Sequence, residues 1–153
     1  MYRMAVMSML FENKYGLDRT KCIKLSLVHD MAEALVGDLT PHDNVPKKEK
    51  HLRETQAMKL MCSLLSKELG NEMYTLWEEY EAQETPEARV VKDLDRFDMV
   101  MQAYEYERLE DRAGEFQEFY QSTNGTFRHP EVKDWVVELN RMRATLIKQK
   151  IGH

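Results

Sequence analysis

Glycine and proline are scarce in this chain, with six and four among 153 residues. Sandwiches and barrels need many turn residues, so the shortage argues against them. With Met (11 copies), Leu, Glu and Lys abundant, an all-α domain is the expectation. Cysteine is also rare. Cys22 and Cys62 form no C-x-x-C pair and no zinc-ligand spacing, which excludes a disulfide framework. Both fall in helical patterns, where a free cysteine is a small buried hydrophobe, and a reducing, intracellular compartment, the cytoplasm, is the expectation. No apolar run reaches the roughly 18 residues of a membrane span. A charged stretch followed by a small-residue cleavage site is missing too, so no signal peptide is expected. Positive charge is in deficit: 22 Lys and Arg stand against 27 Asp and Glu, for a net charge of −5. That argues against a general binder of nucleic-acid polymers but not against one small anionic ligand.

What remains is 42% hydrophobic and 32% charged, enough to bury a core. The length suits a single domain over 1–153, and no repeat or linker divides it. Seven helices are predicted, at 1–11, 19–36, 46–69, 72–81, 86–110, 115–121 and 130–148. The first opens on an apolar run without a capping residue, which fits either a preceding segment or a frayed start equally well. Asp18 is a good N-cap for the second, which is apolar nearly all round, is expected in the core, and ends at Gly37. Pro46 suits the first turn of the third, and Thr85-Pro86-Glu87 opens the fifth. His129, before Pro130, is expected to cap the last.

The informative stretch is Val28-His29-Asp30-Met31-Ala32-Glu33, followed by Gly37-Asp38-Leu39-Thr40-Pro41. Ionisable residues inside the most apolar helix need partners or a metal, because burying unpaired charge costs several kcal/mol or more. His29 and Glu33, four apart, share a helix face, and Asp30 reaches the same point from the flank. One imidazole beside carboxylates suits a divalent ion such as Mn, Co, Fe, Zn or Mg. A purely structural hydrogen-bonded cluster is the equal alternative. In the fifth helix Asp95 lies beside the apolar stripe of Val91, Leu94, Phe97, Met101 and Tyr104, while Asp93 and Asp98 fall on other faces. His51, in a charged run, reads as solvated; His42 is expected at the surface and His153 in the tail.

These residues, with Val91-Lys92-Asp93-Leu94-Asp95, Leu76-Trp77-Glu78-Glu79-Tyr80 and Phe119-Tyr120-Gln121-Ser122-Thr123, resemble the HD-domain phosphohydrolases, and within them the YfbR-like 5′-deoxynucleotidases. The resemblance runs from Met1 to about Leu139. It implies a helical HD bundle, a homodimer, and hydrolysis of 2′-deoxyribonucleoside 5′-monophosphates to deoxynucleoside and phosphate. It implies metal ligation by His29, Asp30 and Asp95. Glu33 and Asp38 match acidic positions near the bound water and substrate, and are the positions for a second ion. Asp38-Leu39-Thr40-Pro41 matches a stretch that contacts substrate. The family's first histidine ligand falls immediately before Met1, so an N-terminally truncated domain is the expectation.

The implied reaction is metal-assisted attack of water on phosphorus. Glu33 is the candidate to orient or deprotonate the water. For Asp38, protonation of the leaving group, sugar contact and a second ion all stay open. Two rivals stand beside this reading: a non-catalytic interaction protein that keeps the HD scaffold, and another HD phosphohydrolase acting on phosphodiesters or nucleoside triphosphates.

Overall fold

The computed structural model describes residues 1–39 and 43–151. Among these the secondary structure is entirely helical: α1 (Tyr2–Ser8), a 3₁₀ turn (Asn13–Tyr15), α2 (Arg19–Val28), α3 (Glu33–Val36), α4 (Lys47–Ser63), α5 (Lys67–Ala82), α6 (Pro86–Leu109), α7 (Gln117–Thr123) and α8 (Pro130–Ile151). The long α6 is the central element and packs against α1, α2, α5, α7 and α8. Leu25, Val91, Leu94 and Val132, all fully buried, anchor the main core around it. Each such side chain contributes about 1.5–3 kcal/mol by leaving water. A smaller cluster of Ala32, Ala57, Met58 and Trp77 lies where the α2–α3 turn meets α4 and α5.

Two starts follow their capping signals. Asp18 accepts a hydrogen bond from the Lys21 N–H (3.0 Å), and Thr85 accepts one from Ala88 (3.2 Å), with Pro86 in the first turn of α6.

The predicted second helix is not continuous, and this is the main correction. The backbone of His29 closes the last α-type bond of α2, to the Leu25 carbonyl (3.0 Å), and such bonds resume only at Val36 and Gly37. Met31 then bonds back to Val28 (3.1 Å), Glu33 to Asp30 (3.0 Å) and Ala34 to Met31 (3.2 Å). These three-residue bonds tighten the chain into 3₁₀-like turns, so His29 and Glu33 do not stack as i and i+4 on one α-helical face. Nor is the segment wholly core: Leu27 is 47% and Leu35 55% exposed.

The predicted third helix stops at Ser63 instead of 69. Ser66 caps a new start by accepting from the Leu69 N–H (3.4 Å), so α5 begins at Lys67 and not at 72. Pro46 is the residue before α4, not its first helical residue. His129 precedes α8 and its carbonyl accepts the Lys133 N–H (3.0 Å), but its ring makes no capping hydrogen bond; the buried Asp93 carboxylate fixes the approach to the helix by accepting the backbone N–H groups of Arg128 (2.6 Å) and His129 (2.7 Å). The His129 ring instead lies edge-on to Phe11 (4.8 Å) and Tyr15 (4.5 Å), where burial lowers its pKa. Cys22 is buried as expected, and Cys62 is half-buried.

Candidate metal centre and active site

The α2–α3 break sets the site. His29 is the C-cap residue of α2, with its ring turned inward and only 1% of the side chain exposed. Its Nδ1 lies 2.9 Å from the Ser26 carbonyl oxygen, which can only accept; Nδ1 therefore carries the proton in the neutral ring, and the Nε2 lone pair is left free. Nε2 is buried and makes no hydrogen bond, although Asp30 Oδ2 stands 2.9 Å away and Asp95 Oδ1 3.7 Å away. A buried nitrogen without a hydrogen bond, facing two carboxylates from separate segments, is a donor set that fits a divalent ion.

Asp95 is held from the other side. Its Oδ2 accepts from Lys92 Nζ (2.8 Å) and from the Tyr80 hydroxyl (3.1 Å). Burial pushes its pKa up, but His29 and Lys92 outweigh that and hold the carboxyl well below the usual range. Burial lowers the pKa of His29, and the neighbouring Asp30 and Asp95 more than reverse this, lifting it to about 9. The same two carboxylates that favour a proton on Nε2 would favour a cation there. A bound cation takes over the role of that proton.

Two clefts meet at His29, Asp30, Asp95 and Met99. One, of about 550 Å³, is lined by Met1, Met4, Gln102, Tyr106, Arg112 and Phe116 and is mostly apolar. Arg3 pairs with Asp98 and with Glu105 (2.8 Å), which ties α1 onto α6 at this cleft. The other, of about 620 Å³, is polar and holds Glu33, Asp38, Lys47, Lys50 and Lys92. Both volumes suit a small organic ligand.

The turn also brings Asp30 and Glu33, three apart, close in charge. Burial first, then Asp30 and Asp38, push the Glu33 carboxyl up to about 7. Of the expected site residues, the structure therefore brings together His29, Asp30 and Asp95, with Glu33 and Asp38 in the adjoining polar cleft. Leu39 is half-buried and its carbonyl accepts from Lys50 (3.0 Å). Thr40, Pro41 and His42 lie outside the described residues. Sequence reasoning missed Lys92 and Tyr80. The i,i+3 spacing of Lys92 to Asp95 is a usable signal, whereas nothing local to Tyr80 announces a contact made across two helices.

Comparisons with known proteins give the family. The HD domain family model matches residues 1–133. The 5′-deoxynucleotidase HDDC2 of Homo sapiens is 52% identical over 147 residues, which is 96% of this chain and 72% of its own length. The 5′-deoxynucleotidase YGK1 of Saccharomyces cerevisiae is 40% identical over 91% of this chain and 66% of its own. Among solved structures, HD domain-containing protein YGK1 superposes with a TM-score of 0.73 at 33% identity, covering 95% of this chain and 76% of that one. A protein of Magnetospirillum magnetotacticum, at 24% identity and a TM-score of 0.61, shares the fold. The chain belongs to the HD domain family. Its relatives over nearly the whole chain, at 40–53% identity, are the 5′-deoxynucleotidases just described and their counterparts in other eukaryotes. An HD domain implies a metal. No helix among the described residues is long and apolar enough to cross a membrane.

Proposed function

We propose that this chain is a metal-dependent 5′-deoxynucleotidase, releasing phosphate from 2′-deoxyribonucleoside 5′-monophosphates. The observation that carries the reading is the buried Nε2 of His29, without a hydrogen bond between the carboxylates of Asp30 and Asp95. These three residues would hold the ion, with Glu33 and Asp38 positioned for a second. A divalent ion bound there supplies Lewis-acid activation of the phosphate ester and of a water.

The chain's own groups do the rest. Lys47, Lys50 and Lys92 line the polar cleft, where their ammonium groups draw in the phosphate dianion. Glu33, with its pKa near 7, exchanges a proton readily at neutral pH and takes the one lost by the attacking water. Asp38 stands exposed in the same cleft, and the stretch Asp38-Leu39-Thr40-Pro41 is assigned to substrate contact. The apolar cleft accepts the deoxynucleoside. Met1 lines that cleft beside the triad, so a histidine preceding Met1 would approach the ion as a fourth donor. A homodimer belongs to the same reading; Tyr2, Val6, Met9 and Leu10 are exposed apolar residues of the N-terminal segment available to it.

The test is phosphate release from a deoxynucleoside monophosphate with Co²⁺ or Mn²⁺. It is run on this chain, on the chain with one added His before Met1, and on Asp95→Asn of whichever form turns over. Turnover that Asp95→Asn reduces at least about a hundredfold is the expected result. Wild-type activity in Asp95→Asn refutes the site. Folded protein that releases no phosphate in either form refutes the activity.

A further inference from the structure

A second group of ligating side chains lines the same polar cleft as the His29 triad and shares no residue with it. His51 and Glu54, three apart on α4, face Glu81 on α5, and one donor atom from each lies within 4.8 Å of the others. His51 Nδ1 stands 3.7 Å from Glu81 Oε2. Donors bound at about 2.1 Å around a tetrahedral ion stand about 3.4 Å apart, so a small side-chain rotation closes the set.

The feature that asks for a ligand is Glu54. It is the buried member of the set, 8% exposed, and its carboxylate is ion-paired with Lys50. The Lys50 ammonium stops at 3.6 Å from one oxygen while donating to the Leu39 carbonyl at 3.0 Å. That contact is long and the ammonium is shared with a carbonyl, so the carboxylate keeps capacity for a second, closer cation. Access is open, because the His51 side chain is 60% exposed. The ring is also pre-oriented: it stacks on Trp77 at 5.9 Å and 13°. Two carboxylates against one ammonium leave the cluster with a net negative charge.

We infer that His51, Glu54 and Glu81 form a second divalent transition-metal site, clamping α4 to α5 at the outer wall of the polar cleft. One imidazole and two carboxylates select Zn²⁺ or Co²⁺ over the harder Mg²⁺. The site is independent of the nucleotidase reading, since it shares no ligand with the triad.

Trp77 reports occupancy directly, because an open-shell ion on the stacked His51 quenches its emission. Co²⁺ is titrated into metal-free wild type, Asp95→Asn, His51→Gln and Glu81→Gln, with fluorescence recorded and folding checked by circular dichroism. Quenching that persists in Asp95→Asn, with its midpoint raised at least tenfold in His51→Gln and in Glu81→Gln, is the expected result. Both of the latter side chains are partly exposed, so the variants keep the core intact. An unchanged midpoint in His51→Gln overturns the site. Loss of quenching in Asp95→Asn overturns it equally, because the ion then belongs to the triad.

Discussion

Beneath the apolar cleft lies a buried ion pair whose cost and benefit can be worked out. Glu107 is fully buried on α6, and Arg143 nearly so on α8. The guanidinium donates to both carboxylate oxygens at 2.8 Å, donates to Gln117 Oε1 at 2.7 Å and stacks 3.8 Å over the Tyr120 ring. Glu107 also accepts the Phe116 N–H (3.0 Å), so the pair fixes a residue that lines the cleft. Removing one member strands the other. Arg143→Met leaves a buried carboxylate with only the backbone N–H groups of Phe116 and Gly114 as donors, at an expected cost of about 3–5 kcal/mol. Glu107→Leu strands the guanidinium, softened by Gln117 and Tyr120, at about 3 kcal/mol. The double variant buries neither charge and loses chiefly the bonds to the Phe116 and Gly114 N–H groups, about 1–3 kcal/mol. Urea unfolding at pH 7 should therefore give a coupling of at least about 2 kcal/mol, and additivity within about 0.5 kcal/mol refutes the argument. The pH dependence has a definite sign. Burial pushes the Glu107 pKa up, but Arg143 and the backbone N–H groups of Phe116 and Gly114 hold it below 4.5. The folded state then binds fewer protons than the unfolded chain. The pair's contribution is complete above pH 4.5 and is lost as pH falls through the folded value, so the gap between wild type and Arg143→Met narrows on acidification.

Three further outcomes are expected. A Cβ at Gly70 would stand 2.5 Å from the Cys62 carbonyl oxygen, so the α4–α5 turn must shift. Gly70→Ala gains about 1 kcal/mol of helix propensity but costs about 1–3 kcal/mol of overpacking, and a melting temperature that rises instead of falling by a few degrees contradicts the close approach. Asp93→Ala removes the acceptor of two backbone N–H groups just before α8 and should cost about 2–4 kcal/mol in urea unfolding; a loss under about 0.5 kcal/mol shows that the contact is dispensable. Glu33 has its folded pKa raised from 4.5 to about 7, so the folded state binds the extra proton and stability falls as pH rises across that window. With chelator present, wild type should lose stability relative to Glu33→Gln between pH 4.5 and 7, and parallel pH profiles for the two refute the shift.

What was legible in the sequence was chemistry carried by short spacing. His29-Asp30 is legible as two neighbouring ionisable residues in an apolar run, whereas Asp95 is singled out only by the family resemblance; the structure puts Asp30 2.9 Å and Asp95 3.7 Å from the His29 ring nitrogen. The break after His29 was not legible. The apolar pattern runs on through Met31, Ala32 and Leu35, and only the three-residue hydrogen bonds distinguish the tightened turn from a continuing helix. The eighth helix appears for that reason: α2 and α3 divide what periodicity joins. Ser66 was likewise passed over as a cap, since the apolar stripe of α4 continues across it.

Asp93 and Asp95 state the limit most plainly. They are two residues apart on one helix, about 200° around its axis. Asp95 turns to His29 and Lys92, and Asp93 turns to the start of α8. Both are carboxylates among the same apolar neighbours, and both are held by charge-assisted hydrogen bonds. The difference in role comes from what each faces: a free imidazole nitrogen beside a cleft in one case, two backbone N–H groups with no cleft in the other. Local sequence reports the helix and its stripe, but the partner that makes an aspartate a ligand or a structural acceptor is supplied by another element. A site residue on a helix is therefore identified only when its partner is, and here the partner of Asp95 is the turn that periodicity conceals.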